Sequence, residues 1–160
     1  MARGTCSHAL DETISTLVER SIHEDRWIMA FSEHELIVVN AYCSPMVSEA
    51  FSTRFRNAKV LIDRWAKSRP SWRKKARDLE TYCILAGLTP PESPKGGVAE
   101  TLRRLARRMD GKRRWGSLPR VDRDDGVALL DYNARDCRCL QQLTIRAVNY
   151  LSTRHSAQAA

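Results

Sequence analysis

Trp27-Ile28-Met29-Ala30-Phe31 is a short, unbroken apolar run, and Ser32-Glu33-His34-Glu35 follows it directly. Five apolar residues with aromatic ends suit a strand buried on both faces better than a helix, which needs more length. The S-x-x-E tetrad then has the form of a capping box, in which the Ser and Glu side chains satisfy backbone donors of a helix's first turn. Leu36, Val39 and Cys43 continue that helix until Pro45 stops it. Upstream, Leu10, Ile14, Leu17, Val18 and Ile22 fall on one face of a helix over 8–26. The passage predicts a strand laid under two helices.

Working outward, the remaining periodicities are helical. Phe51, Phe55, Ala58, Leu61, Ile62 and Trp65 mark a helical stretch with breaks over 48–68, ended by Arg69-Pro70-Ser71. Residues 72–86 read as helix, with Gly87 placed as a C-terminal cap. Thr89 to Gly97 is a Pro- and Gly-rich loop. Over 98–109, Val98, Leu102, Leu105 and Met109 point inward, and Arg103, Arg104, Arg107 and Arg108 mostly outward. A basic loop surrounds Trp115, and helix resumes from 122 to 154 with a break near Tyr132. One strand is not a sheet. The expected fold is mainly α (α+β), one domain over 1–154 with about one buried strand packed by helices, and a frayed tail over 155–160.

Charge points to a class of partner. The 160 residues carry a net charge of +8. Residues 64–123 hold 17 basic and 6 acidic side chains, whereas 1–63 hold 6 and 9 and 124–160 hold 4 and 4. A cationic block between near-neutral flanks fits a polyanion, most often DNA or RNA, although a solvated basic face has the same composition. Arg73, Lys74, Lys75, Arg103, Arg104, Arg107, Arg108, Lys112, Arg113 and Arg114 are its candidate contacts. Trp72 and Trp115 lie among these cations, where they either stack bases or anchor the basic loops to the core. Neither a membrane-spanning run nor a secretory leader is visible, so the expected compartment is cytoplasmic, with no membrane partner. Five cysteines with no C-x-x-C argue against a disulfide framework and a zinc ribbon.

Asp131-Tyr132-Asn133-Ala134-Arg135-Asp136-Cys137-Arg138-Cys139-Leu140 is the most informative stretch for chemistry. Tyr132 and Asp136 are four apart and so share a helix face. Ala134, Cys137, Leu140 and Ala147 read as the buried stripe, with Asp136 at its edge and Cys137 as small core filler. A carboxylate there is either exposed in an ordinary i, i+4 contact or, if buried, paired, hydrogen-bonded or metal-bound.

Y-N-x-x-D-C resembles the third motif of the RecB-like exonucleases of the ribonuclease H-like (DEDD-type) superfamily, in which a Tyr lies four residues before a metal-binding Asp. Ile28 to Glu35 resembles that family's strand delivering an acidic residue after a small polar turn. Phe55-Arg56-Asn57-Ala58 sits where the family commonly has an Asp-Leu pair, and Leu79-Glu80-Thr81-Tyr82 with Gly87 is similar to its Leu-then-Gly helix. The resemblance spans roughly residues 10–150 in motif order. It departs from the family in lacking the first-strand D-x-E, in Asn57 standing for an Asp, and in the antiparallel strands expected before residue 10.

The resemblance implies a partial ribonuclease H-like arrangement and metal-dependent phosphodiester hydrolysis, a 3′–5′ exonuclease activity using Mg²⁺ or Mn²⁺. Asp136 would be a metal ligand, Tyr132 would orient the attacking water, and Glu35 would be a further ligand, all on one concave surface. With the helix cap as the competing role of Glu35, too few carboxylates remain to fix two ions. The expectation is therefore a nuclease-related nucleic-acid-binding domain, incomplete or catalytically degenerate, with a partner chain supplying the missing strands. The alternative is a non-enzymatic helical nucleic-acid-binding or protein-interaction module.

Overall fold

A computed structural model describes residues 8–72, 78–92, 97–109 and 114–158. Two compact units emerge, one from residues 1–73 with 146–160, the other from 74–145.

The first unit opens with α1 (His8–His23), β1 (Ile28–Ala30) and α2 (His34–Tyr42). α3 (Pro45–Arg54), β2 (Phe55–Asn57) and α4 (Ala58–Lys67) follow. The helix–strand–helix passage is present, with the strand trimmed to three residues. Pro45 does not merely stop α2; it occupies the first turn of α3, where its missing N–H costs nothing. Ser44 precedes it, and both its backbone N–H and its hydroxyl donate to the Asp11 carboxylate, at 2.7 and 3.0 Å. Asp11 thereby ties the start of α3 to α1.

β2 corrects the expectation of a single strand. It pairs with β1 in parallel, in the register Ile28↔Phe55, Met29↔Arg56 and Ala30↔Asn57. A parallel pair needs a crossover, and α2 with α3 supplies it. Asn57 ends the strand and caps α4, its side-chain oxygen accepting from the Lys59 N–H at 3.0 Å. The strand is also not buried on both faces. Alternation puts Ile28, Ala30 and Phe55 inward, against a core of Val18, Val39, Cys43, Val47 and Phe51. Met29 and Arg56 face outward with Trp27, which is 52% exposed and carries the Arg56 guanidinium 3.7 Å above its ring. On α1, Leu17 and Ile22 are exposed and Ser21 is buried, so the inward stripe is Leu10, Ile14, Val18 and Ser21.

After α4 the chain turns through Trp72. The Trp65 and Trp72 rings meet edge to face at 4.9 Å, and Arg69 lies over both and over Tyr150. Trp72 is buried, which assigns it to anchoring.

The second unit comprises α5 (Leu79–Leu85), α6 (Val98–Met109), a 3-10 turn (Trp115–Ser117) and most of α7 (Arg120–Gln158). The Asp78 carboxylate caps α5 by accepting from the Thr81 N–H at 2.7 Å, and the hydrogen bonds from the Thr81 side chain and then its backbone hold the Asp78 pKa below the usual value. Gly87 takes φ +70° just past the helix, as a C-terminal cap requires, and the Leu88 N–H reaches back to the Cys83 carbonyl. α7 is one unbroken helix through Tyr132, and it runs to Gln158 where a frayed tail was expected.

Gly126 is the point of closest approach on α7. A Cβ built there would overlap the Cη2 of Trp115 and lie 3.0 Å from two more ring atoms. The indole therefore packs on the glycine, which makes Trp115 an anchor of the 3-10 turn on α7. Gly→Ala inside a helix normally gains about 1 kcal/mol. At Gly126 we expect the opposite sign: Gly126→Ala lowers the urea midpoint and raises the solvent exposure of Trp115 fluorescence. A midpoint shifted upward would show that the indole yields at no cost.

Candidate functional site

The chemistry-bearing stretch lies on the α7 segment of the second unit. Asp122, Gly126 and Leu129 are buried, as is Leu143, and Tyr132, Asp136 and Leu140 between them are half-buried. The steps of three and four residues make this the inward stripe. It differs from the expected one: Ala134 and Cys137 are exposed, so Cys137 is not core filler, and Asp136 belongs to the stripe rather than its edge. Leu140 and Ala147 lie inward as expected, half-buried and buried, so the two readings part only at Ala134 and Cys137, small side chains that a core and an exposed face accommodate equally.

Asp136 accepts a hydrogen bond from the Tyr132 hydroxyl. Burial pushes its pKa above the usual carboxylate value; the Tyr132 bond opposes the rise, and the negative charge of Glu80 adds to it. Cys83 is fully buried beside it, its pKa pushed up to about 12 by burial and then by neighbouring Cys139. It stays an inert thiol at neutral pH. Tyr132 and Asp136 are thus brought together on one face of α7. Glu35 belongs to the first unit. It is exposed in the first turn of α2, where its carboxylate accepts from the Ser32 hydroxyl at 3.1 Å, and that hydroxyl accepts from the His34 N–H at 3.1 Å. The expected capping box does not form: the cap residue is Glu33, with no side-chain cap bond, and Glu35 accepts from the Ser32 hydroxyl instead of from a backbone N–H.

Among the described residues, no group of three or more His, Cys, Asp or Glu side chains comes together to hold a metal ion. A two-ion centre needs several carboxylates to offset two divalent charges.

A raised pKa makes Asp136 a testable liability. Its folded pKa lies above the unfolded value, so its contribution to stability is fully present below the unfolded pKa and is lost as pH rises through the folded pKa. Asp136→Asn removes that loss and keeps an acceptor for Tyr132. The variant should melt at a higher temperature than the native chain at pH 7, and the difference should shrink towards pH 3. A lower melting temperature at pH 7 would show that the ionised carboxylate has a stabilising partner.

The α6 arginines divide into two pairs. Arg104 reaches Asp122 at 3.8 Å and also pairs with Asp125, and Arg108 reaches Asp122 at 3.8 Å. Asp122 is buried in the first turn of α7, where the helix dipole also favours a negative charge. Arg103 and Arg107 are exposed, one turn apart, with no ion pair to a described residue. Arg114 is exposed beside the 3-10 turn. Arg73, Lys74, Lys75, Lys112 and Arg113 lie outside the described residues. The sequence treats the four α6 arginines alike; the acidic Asp122 to Asp125 run at the start of the next helix was the signal that could have separated them.

Among the described residues, no helix is long and apolar enough to cross a membrane. Comparison with family models, with curated proteins and with solved structures finds no match to this chain.

Proposed function

We propose that this chain is a nucleic-acid-binding domain related to the metal-dependent ribonuclease H-like exonucleases, and that it does not cleave its ligand by itself. The observation that carries the reading is the exposed Arg103 and Arg107 pair on α6, which has no ion pair to a described residue while Arg104 and Arg108 pair with the carboxylates of α7. Guanidinium groups not engaged by carboxylates are the natural contacts for a phosphodiester backbone.

The relation to nucleases is supported by the Tyr132–Asp136 bond on one helix and by the parallel strand pair with its helical crossover. Parallel sheets are normally larger and covered on both faces. A sheet of only two three-residue strands therefore suits one that a partner chain extends. The lack of cleavage follows from the ligands: Asp136 is the carboxylate that the motif offers, Glu35 is engaged at a helix start, and Asn57 caps α4. Mg²⁺ or Mn²⁺ would be the ions of an active relative.

The test is incubation of the chain with labelled single- and double-stranded DNA and RNA in Mg²⁺ or Mn²⁺, beside Asp136→Asn. Binding without cleavage is the expected result. Robust cleavage that disappears in Asp136→Asn would identify a working nuclease, and absence of binding to every substrate would remove the nucleic-acid reading.

A further inference from the structure

A groove of about 600 Å³ opens within the second unit, between α7 and the chain that leaves α5. One wall is Arg135, Arg138, Cys139 and Gln142; the other is the Leu88–Glu92 segment with Pro90 and Pro91. Arg135, Arg138 and Gln142 recur at i, i+3 and i+7, so they climb one side of the helix over about 10 Å. The Arg135 Nε donates to the Asp131 carbonyl at 3.3 Å, which leaves its terminal nitrogens for a ligand. Neither arginine has an ion pair with a described residue, unlike Arg104, Arg108 and Arg120. The facing wall is different in kind: the two prolines lack backbone donors, and with Leu88 they form a stiff, largely apolar surface. Glu92 is the one carboxylate on the lining.

A cationic wall opposite an apolar one, at this volume, matches a ligand with an anionic backbone and a flat apolar face. The geometry points to a second contact surface for single-stranded nucleic acid, with one nucleotide held in the groove. Its phosphate lies on Arg135 and Arg138, its base against Leu88, Pro90 and Pro91, and Gln142 at the end. Guanidinium forks suit the phosphate, and stacking on an apolar wall is tolerant of sequence. This inference rests on the nucleic-acid reading above, and it places a contact outside the basic block, on residues the charge pattern did not single out.

The cysteines of α7 provide an internal footprint. Cys139 lines the groove and is half-buried, its thiol donating to the Thr89 carbonyl at 3.6 Å, whereas Cys137 is exposed on the same helix and is not part of the lining. Trypsin separates them, because it cleaves after Arg135, Arg138 and Arg146. The experiment measures alkylation of each cysteine in the full chain, with and without a twelve-nucleotide oligothymidylate. A second arm measures the affinity of that oligonucleotide for the native chain, for Arg135→Gln with Arg138→Gln, and for Arg103→Gln with Arg107→Gln. The expected result is slower alkylation of Cys139 alone, and a loss of affinity of roughly tenfold in the Arg135/Arg138 variant at low salt. Unchanged alkylation of Cys139 together with native affinity in that variant overturns the groove, while weakened binding in the Arg103/Arg107 variant keeps the broader reading. No binding to the native chain overturns both.

Discussion

Arg104→Ala combined with Arg108→Ala is expected to lower the stability by about 2–3 kcal/mol, read from the urea midpoint. Asp122 is 3% exposed, and one of its carboxylate oxygens has no hydrogen-bond partner among the described residues. Its charge is balanced by the two guanidinium groups at 3.8 Å and by the helix start on which it sits. Removing both arginines leaves a buried charge uncompensated. The figure falls at or below the low end for buried pairs because the arginines themselves are half exposed and remain partly solvated. Arg103→Ala with Arg107→Ala removes the same number of positive charges from the same helix, and its effect is expected to stay within about 0.5 kcal/mol, as for other surface changes. Equal effects of the two double variants would mean that α6 is not held to α7 through Asp122.

Trp72→Ala is expected to be the more damaging change, costing about 3–5 kcal/mol. The indole is buried, meets Trp65 edge to face at 4.9 Å, and holds one side of Arg69. The loss combines the cavity, the aromatic contact and the cation–π contact. In conditions where the variant is folded, its affinity for an oligonucleotide should match that of the native chain. A stable Trp72→Ala variant with impaired binding would reverse the assignment and make this indole a base-stacking group.

These two expectations show what could be read from the chain before its fold. The helix over 98–109, the Gly87 cap and the strand after α1 are local patterns and are present, but the strand is three residues long and the inward face of the helix is Thr101 and Leu105, with Leu102 and Met109 exposed where the apolar pattern puts them inward. β2 was hidden because Phe55-Arg56-Asn57 sits between helices whose apolar residues keep helical spacing, and three residues are too few to break that rhythm. Its clearest mark is Asn57, whose presence is explained by the cap it makes on α4. On α7, Leu140 and Ala147 lie inward as their spacing implies, whereas Ala134 and Cys137 are exposed, because a small side chain on an exposed face looks like one in a core. The division of the arginines depended on Asp122 and Asp125, carboxylates 14 to 21 positions away that only the packing of α6 on α7 brings close. Tyr132 and Asp136 were legible because both lie on one helix, where four residues of separation fix their geometry.

The central proposal is that this chain binds nucleic acid through guanidinium groups that have no ion pair to a described residue. The most direct measurement is the affinity for a labelled single-stranded oligonucleotide across a salt series, comparing the native chain with Arg103→Gln/Arg107→Gln. Each phosphate contact on a single strand contributes about 0.7 to the slope of log K against log salt. The claim predicts a steep negative slope for the native chain, reduced by about 1.4 in the variant. A native slope near zero, or one unaltered in the variant, would contradict it.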